Sequence, residues 1–348
     1  MSEISRRHVL GAAAAAGSVL AAASDAAAEG QPPWGPTPPV LAGAELPSFR
    51  FRLGAVTPKT WDGGWAKEAT VVEFPVSQKL AGVLMSLVPG AVRELHWHAN
   101  AAEWAYMIRG QCRVTTIDPR GHSQIVDFSE FGTFSITDWV GHTPPEVLAK
   151  TFGVPASTFA NFPKREVYIA KGPVPPPLPA DPAPGALNSG ALTHRYRLLA
   201  QRPQDYPGGT NRLVSQREFP ISTTMTGALM RIKPGALREM HWHPNADEWQ
   251  YYIAGRARMS VFGSHGRVRA EEFAAGDVGY VPQGYGHYIE NAGSEDLELL
   301  IVLNNGDYQS ISLTAWVAAN PHLLLATNFK VPEGTFANFP NRERFMPG

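Results

Sequence analysis

Two segments of the chain are near copies of each other, and this duplication constrains the fold more than any other feature. Residues 90–110 read GAVRELHWHANAAEWAYMIRG and residues 235–255 read GALREMHWHPNADEWQYYIAG, at a constant offset of 145. A second copied pair, VPASTFANFP at 154–163 and VPEGTFANFP at 331–340, has an offset of 177. The chain is therefore a tandem duplication in which each half repeats one folding unit.

The border between the two halves is a Pro-rich stretch. Residues 171–190 read KGPVPPPLPADPAPGALNSG, and proline both stiffens a tether and is excluded from central strands. We therefore predict a first domain over residues 45–170, this linker over 171–190, and a second domain over residues 191–345.

The pattern within each half indicates strands. The chain contains 33 glycines and 31 prolines, which favours many short strands over long helices. Antiparallel strands that close into a barrel would cover both edges of the sheet. We predict an all-β fold with short helices confined to residues 138–152 and 313–328. The predicted strands are residues 81–88, 103–108, 113–117, 227–232, 249–253, 258–262, 278–281 and 297–303.

Composition excludes several functional classes. The net charge is −1 and no run of Lys or Arg occurs, which argues against a nucleic-acid partner. Cys112 is the only cysteine, so an intrachain disulfide framework and a zinc-finger array are excluded. The glycine-rich and nucleophile-elbow motifs of nucleotide-binding proteins and hydrolases are absent as well.

The second half carries a cluster of metal-ligand residue types. His241, His243 and Glu248 form H-x-H-x4-E, and residues two apart on a strand face the same side. The stretch GDVGYVPQGYGHYIEN at 276–291 then places His287 after a Pro-Gly turn. Three imidazoles and one carboxylate suit a divalent transition metal with open positions for chemistry. We predict that these four residues bind a catalytic metal ion.

These spacings resemble the two motifs of the cupin family, and the duplicated sequence R-E-x-H-W-H is similar to that of the bicupin oxalate decarboxylases. The similarity extends over most of residues 45–345. The residues that fill the two motifs are Gly235, His241, His243, Glu248 and Gly255, followed by Gly276, Pro282, Gly284, His287 and Asn291.

The resemblance implies a tandem double-stranded β-helix, that is, two jelly-roll barrels with one Mn2+ ion each. It also implies conversion of oxalate to formate and carbon dioxide, and assembly into trimers or hexamers. In this family the arginine that precedes the H-x-H triplet holds the substrate carboxylate, a role that falls here to Arg93 and Arg238. A planar guanidinium fork suits a carboxylate.

The first half departs from the family pattern. His96, His98 and Glu103 match the first motif, but the second motif is missing. Phe128 still matches the second half at offset 145, whereas Trp139 matches at 177. Once a slightly longer lid is counted, about 35 residues are lost after Phe128. The fourth ligand histidine would lie in this gap, and His122 and His142 fit surface positions better than a replacement role.

Residues 128–139, FSEFGTFSITDW, resemble the active-site lid of the family. Glu130 in this lid corresponds to the favoured proton donor for the carbon that loses carbon dioxide, which is chemically sensible for a carboxyl group beside an anion. In the second half, Ile301 occupies a position where some members have glutamate. The intact ligand set therefore lacks that acid, and the half with the lid acid lacks a ligand.

The sequence thus predicts a manganese-dependent oxalate decarboxylase whose activity the deletion impairs. One alternative is an oxalate oxidase on the same scaffold, although retention of Glu130 favours decarboxylation. The other alternative is a non-catalytic bicupin that binds a metal or a carboxylate, which the deletion and Ile301 favour. The expected partner is oxalate, with no nucleic acid.

Residues 1–28 are predicted to be an export signal. Arg6 and Arg7 precede an apolar, alanine-rich run that ends in small residues, as in a twin-arginine signal. The run is too short and too weakly apolar for a membrane span of about 20 residues. We expect cleavage near Ala28 and a periplasmic or secreted protein that is not attached to a membrane.

Overall fold

The computed structural model describes residues 46–96, 98, 101–117, 123–127, 136–176, 193–264 and 266–348. Several features predicted from the sequence lie outside these residues: the signal at 1–28, His122, the deletion border at Phe128, the lid acid Glu130, and residues 177–190 of the linker.

The described part of the chain is built from short strands and four short helices. In the first half the strands are β1 (Arg50–Phe51), β2 (Lys59–Trp61), β3 (Gly64–Ala69), β4 (Gly82–Leu87), β5 (Ala91–Arg93), β6 (Arg113–Ile117), β7 (Ser123–Asp127) and β8 (Ile169–Lys171). In the second half they are β9 (Gln204–Tyr206), β10 (Gly209–Val214), β11 (Thr226–Ile232), β12 (Leu237–Trp242), β13 (Glu248–Ala254), β14 (Arg256–Phe262), β15 (Val268–Ala274), β16 (Val278–Val281), β17 (Gly286–Asn291), β18 (Leu297–Leu303) and β19 (Ile311–Ser312). The helices are α1 (Ile136–His142), α2 (Pro145–Phe152), α3 (Leu313–Ala318) and α4 (His322–Phe329).

The second half forms a jelly-roll barrel from two facing sheets. One sheet has seven strands in the order β1-β16-β13-β18-β11-β10-β9, and the other has five in the order β15-β14-β17-β12-β19. Alternate residues of each strand point into the barrel, such as Met230 and Ile232 of β11 and Met259 and Val261 of β14, where they form the main apolar core. The predicted all-β fold is confirmed.

Apart from β1, the described strands of the first half form small sheets: β2-β3-β4, β5-β8 and β6-β7. The counterpart of β13 is residues 103–108, which the sequence predicts to be a strand, and this prediction is wrong. In the second half β13 lies between β16 and β18. The first half lacks the residues that would match those two neighbours, so among the described residues no strand lies beside residues 103–108 to form a ladder.

Each predicted helix is divided in two. Residues 138–152 contain Pro144, which separates α1 from α2, and residues 313–328 contain Pro321, which separates α3 from α4. Proline lacks a backbone N–H and restricts the residue before it, so a helix cannot run through either position undisturbed. None of the helices in the described ranges has the length and apolar character needed to cross a bilayer.

The two halves hold each other through a reciprocal apolar contact. The ring of Trp249 lies against Gly82, and the ring of Trp104 lies against Gly227, which are equivalent positions at offset 145. A Cβ atom on either glycine would overlap the indole ring. Strand β1 extends this association, because it pairs with β16 and so belongs to the sheet of the second half.

The apolar clusters around the two tryptophans also match each other. Leu53 and Phe74 of the first half pack around Trp249, and their counterparts Leu198 and Phe219 pack beside Trp104. The cluster around Trp249 is completed by residues of β16, for which the first half has no counterpart. The interface is therefore pseudo-symmetric, but the apolar cluster beside Trp104 has fewer members than the cluster around Trp249.

We expect the Gly227→Ala variant to unfold at a lower urea concentration than the unmodified chain. The added methyl group overlaps Trp104, and overpacking of this kind costs about 1–3 kcal/mol. Gly334→Ala is the matched control, because open space surrounds a Cβ atom at that position. Equal unfolding midpoints for the two variants would contradict the proposed importance of this contact.

Candidate metal centre

Strands β12, β13 and β17 meet inside the barrel of the second half and bring four side chains to one point. His241 lies on β12, Glu248 begins β13, His287 lies on β17, and His243 follows β12 directly. All four are buried, and one donor atom from each lies within 4.8 Å of the others. In the described part of the chain, this is the one group of three or more such side chains that could share a metal ion.

An irregularity in β12 directs a fifth side chain into the same space. Arg238 pairs with Ile289 and His241 pairs with His287, so three steps along β12 match two steps along β17. Residues three apart on a regular strand face opposite sides, and a bulge of this kind re-aims one of them. Arg238 and His241 therefore both point into the barrel, with 1% and 3% of their surface exposed.

Hydrogen bonds to the backbone fix the orientation of the three imidazoles. Each Nδ1 atom lies near a carbonyl oxygen: 2.7 Å from Glu239 for His241, 2.6 Å from Gln309 for His243, and 3.1 Å from Tyr285 for His287. A carbonyl only accepts, so Nδ1 carries the proton and Nε2 keeps its lone pair for a ligand.

Burial and neighbouring charges set the protonation states that a metal requires. Burial, reinforced by Arg238, holds the pKa of His241 well below its usual value. Burial opposes ionisation of Glu248, yet positive charge at His287 and His243, which a bound cation would replace, lowers the pKa of this carboxyl well below its usual range. A neutral imidazole beside an ionised carboxylate is the form in which these side chains bind metals.

The group fits a divalent cation. Glu248 Oε2 lies 2.9 Å from His243 Nε2 and 3.5 Å from His287 Nε2, so acceptor atoms face one another. His287 Nε2 is buried and has no hydrogen-bond partner among the described residues, a costly arrangement that a cation at the centre would relieve. The other carboxylate oxygen accepts from Gln250 Nε2 at 2.6 Å, which fixes the rotation of the carboxylate.

A small cavity of about 10 Å³ adjoins the four ligands, room for about one water molecule. Its polar walls are Arg238, Asn211 and Tyr308, while apolar residues, Ile301 among them, form most of the remainder. Glu248 is the only carboxylate among the residues that line it. The cavity thus presents a cation-binding face and a guanidinium, without a second acid.

The first half arranges its equivalent residues more loosely. His98 Nε2 lies 3.3 Å from Glu103 Oε2, and about a quarter of each side chain is exposed. The ring centroids of His96 and His98 are 6.4 Å apart, compared with 5.0 Å for His241 and His243. Burial raises the pKa of Glu103, opposed by its contact with His98. Arg93 is buried, and its Nε and Nη2 have no hydrogen-bond partner among the described residues.

His142 does not replace the missing ligand. Its side chain is 71% exposed on α1 and lies 3.2 Å from Asp138, away from the three residues of the first motif. Within the described residues, the first half therefore offers no fourth ligand.

Sequence reasoning missed several residues that support the centre. Gln250 holds Glu248, Gln309 holds His243, and Ser310 Oγ accepts from Arg238 Nη2 at 2.9 Å. Gln309 and Ser310 lie about 70 residues from the motif in sequence, and no pattern marked them. Gln250 could have been noticed, because a residue two after Glu248 on a strand faces the same side.

Comparison with known proteins gives consistent results. The family described as cupin matches residues 56–133 and 196–334. The oxalate decarboxylase OxdC of Bacillus subtilis is 40% identical over 84% of this chain and 86% of its own length. A probable oxalate decarboxylase of Arthroderma benhamiae is 31% identical over 82% and 80%. A solved structure of the Bacillus enzyme, studied for its Mn(II) centres, superimposes with a TM-score of 0.79 at 37% identity, covering 87% of this chain and 89% of that one.

We expect replacement of both His241 and His243 by Ala to abolish tight metal binding in the second half, because half of the ligands are lost. Metal analysis of the purified protein measures this directly. His322→Ala is the matched control, since His322 is exposed on α4 and outside the group. Unchanged metal content in the double variant would show that the ligands are assigned wrongly.

Proposed function

The chain belongs to the bicupin oxalate decarboxylases of the cupin family, and from this we propose that it converts oxalate to formate and carbon dioxide with the help of manganese. The observation that carries the proposal is the buried group of three imidazoles and one carboxylate with a guanidinium beside it. Relatives that cover most of the chain are named oxalate decarboxylases, and one is described as having Mn(II) centres.

We assign manganese to His241, His243, Glu248 and His287, where it would supply a Lewis acid for one carboxylate of oxalate. Arg238 is placed to bind a carboxylate through its planar fork, and Ser310 already fixes one arm of that fork. The apolar residues around Ile301 leave room for about one water molecule, and a site this dry strengthens both charge contacts. Oxalate is larger than the present cavity, so its entry requires the lining residues to move apart.

The proton that replaces carbon dioxide needs an acid, and the cavity of the second half offers none beyond Glu248. We therefore propose Glu130, in the lid segment of the first half, as the donor. Because His96, His98 and Glu103 have no fourth ligand among the described residues of that half, we propose that it holds its metal weakly. Turnover would then fall well below that of an undamaged relative.

Two further proposals complete the assignment. We propose that residues 1–28 direct export through the twin-arginine route and are removed near Ala28, leaving a periplasmic or secreted protein. This route carries folded proteins, so the metal would be selected inside the cell, away from tighter-binding competitors. We also propose that the protein assembles as a trimer or hexamer, as its family does.

The decisive experiment measures products and metal together. Purified protein supplied with Mn2+ and oxalate should release formate at a low rate, with a metal content nearer one than two per chain. Insertion of a segment copied from residues 274–308 after Phe128, with the lid kept, should raise both quantities because it restores the missing strands and ligand.

Each alternative has a distinct outcome in this experiment. Release of peroxide instead of formate would identify an oxidase. Metal binding without any turnover, before and after the insertion, would identify a non-catalytic binder. Two tightly bound metals and full activity in the unmodified chain would contradict the proposed impairment.

We expect Arg238→Lys to weaken oxalate binding to the manganese-loaded protein, because an ammonium cannot form the paired contact of a guanidinium. The loss of a charge-assisted hydrogen bond corresponds to about 1.5–3 kcal/mol, roughly a ten- to hundredfold drop in affinity. Calorimetry measures the change, and Arg256→Lys on the exposed surface is the control. Equal affinities for the two variants would remove Arg238 from the binding site.

A further inference from the structure

Two stacked aromatic rings lie beneath the guanidinium of Arg238. The guanidinium carbon is 3.9 Å from the ring centroid of Phe345. The Phe345 ring in turn stacks on Tyr206, with centroids 4.6 Å apart and planes 23° from parallel. The carbonyl of Phe345 also accepts from Arg238 Nη1 at 3.3 Å. Phe345 therefore contacts both the face and the edge of the same guanidinium.

The backbone of Phe345 adopts a conformation that it would not take on its own. Its φ is +46°, in the left-handed region that non-glycine residues rarely occupy. A strained residue of this kind persists only where its surroundings determine it, and such positions cluster at functional sites.

Glu239, the neighbour of Arg238 in sequence, determines this conformation. Its side chain is buried, and Oε1 accepts from the backbone N–H of Phe345 at 2.7 Å and of Arg344 at 3.1 Å. Oε2 accepts from Thr314 Oγ1 at 2.5 Å. Three hydrogen bonds to this one buried side chain hold Phe345 against Arg238.

The same arrangement occurs in the first half with different aromatic residues. The guanidinium carbon of Arg93 lies 3.7 Å from the ring centroid of Tyr168, and the Tyr168 ring stacks on Trp61 with centroids 4.6 Å apart. The φ of Tyr168 is +55°. Glu94 accepts from the backbone N–H of Tyr168 at 3.1 Å and from Thr137 Oγ1. Tyr168 takes the place of Phe345, and Trp61 takes the place of Tyr206, so an aromatic ring occupies both positions in each half. What the two halves share is therefore the aromatic surface under the arginine.

An aromatic face constrains a guanidinium in a specific way. The plane of the guanidinium settles parallel to the ring, so the arginine loses rotation about its last bonds but keeps its edge free for hydrogen bonds. Arg238 has the additional freedom of a long side chain, and Ser310 and the Phe345 carbonyl hold only part of its edge. The ring supplies the remaining restraint.

We infer that Phe345 is a positioning residue for substrate binding: its ring, held in a left-handed backbone conformation by Glu239, fixes the plane of the Arg238 guanidinium toward a carboxylate in the adjoining cavity. This inference rests on the proposed function, because it takes oxalate as the occupant. It extends that function by adding a residue outside both sequence motifs to the substrate-binding apparatus.

The test compares Phe345→Leu with Phe345→Tyr in the full chain loaded with manganese. Leucine keeps an apolar side chain and the same backbone restriction but has no ring face, whereas tyrosine is the residue that the first half uses. We expect Phe345→Leu to weaken oxalate affinity by about three- to tenfold and Phe345→Tyr to leave it within about twofold of the unmodified chain. Metal content should stay the same in both.

A purely structural role predicts a different set of results. Equal losses of affinity in the two variants, or loss of metal in Phe345→Leu, would mean that the residue supports the barrel in general, and either result overturns the inference. Tyr206→Leu, which removes the lower ring without touching the arginine, should cause a smaller loss than Phe345→Leu. A larger loss would also overturn it.

Crystal structures of the variants separate this inference from the proposed function. If the unmodified chain binds no oxalate, the proposed function fails, but the orientation of Arg238 can still be observed. The guanidinium should leave its plane or become disordered in Phe345→Leu and remain in place in Phe345→Tyr. A guanidinium that keeps its position in Phe345→Leu would overturn the positioning role whatever the substrate is.

Discussion

The structure of the second half depends on an ionised carboxylate that is buried in an apolar barrel. Moving a carboxylate out of water costs several kcal/mol even after the protein relaxes, so Glu248 needs compensation: the Gln250 amide donates to one oxygen, and the imidazoles beside the other oxygen complete a group that would bind a cation. These partners come from three strands, and the two sheets must close around them to keep water out. Closure of the barrel and burial of the metal centre therefore depend on each other.

The first half shows what happens when three of the four ligands are kept and the enclosure is lost. His98 and Glu103 retain the spacing of His243 and Glu248, yet about a quarter of each side chain is exposed and the two are farther apart. Local sequence thus brings the residues near one another, while the strands on either side fix their separation. In a metal centre of this type the surrounding strands determine the geometry as much as the ligands do.

Sequence reasoning predicted the second centre well because its information is local. The spacing of His241, His243 and Glu248 is set by strand periodicity, while the deletion after Phe128 stays a prediction because its border lies outside the described residues. It failed at residues 103–108, where alternation predicted a strand whose neighbours no longer exist. It also missed the bulge in β12 and the stack on Phe345, since pairing register and contacts over 100 residues of sequence leave no pattern. The divided helices were predictable from their prolines.

The reciprocal contact between the halves has an evolutionary consequence. Because each half rests a tryptophan on a glycine of the other, neither copy can be discarded without exposing the apolar face of its twin. Selection that preserves the intact centre therefore also preserves the damaged half, even where that half contributes no chemistry of its own. The deletion leaves this contact in place, since Trp104 and Gly82 are both retained. A gene of this kind is free to lose a function from one copy, but not the copy itself.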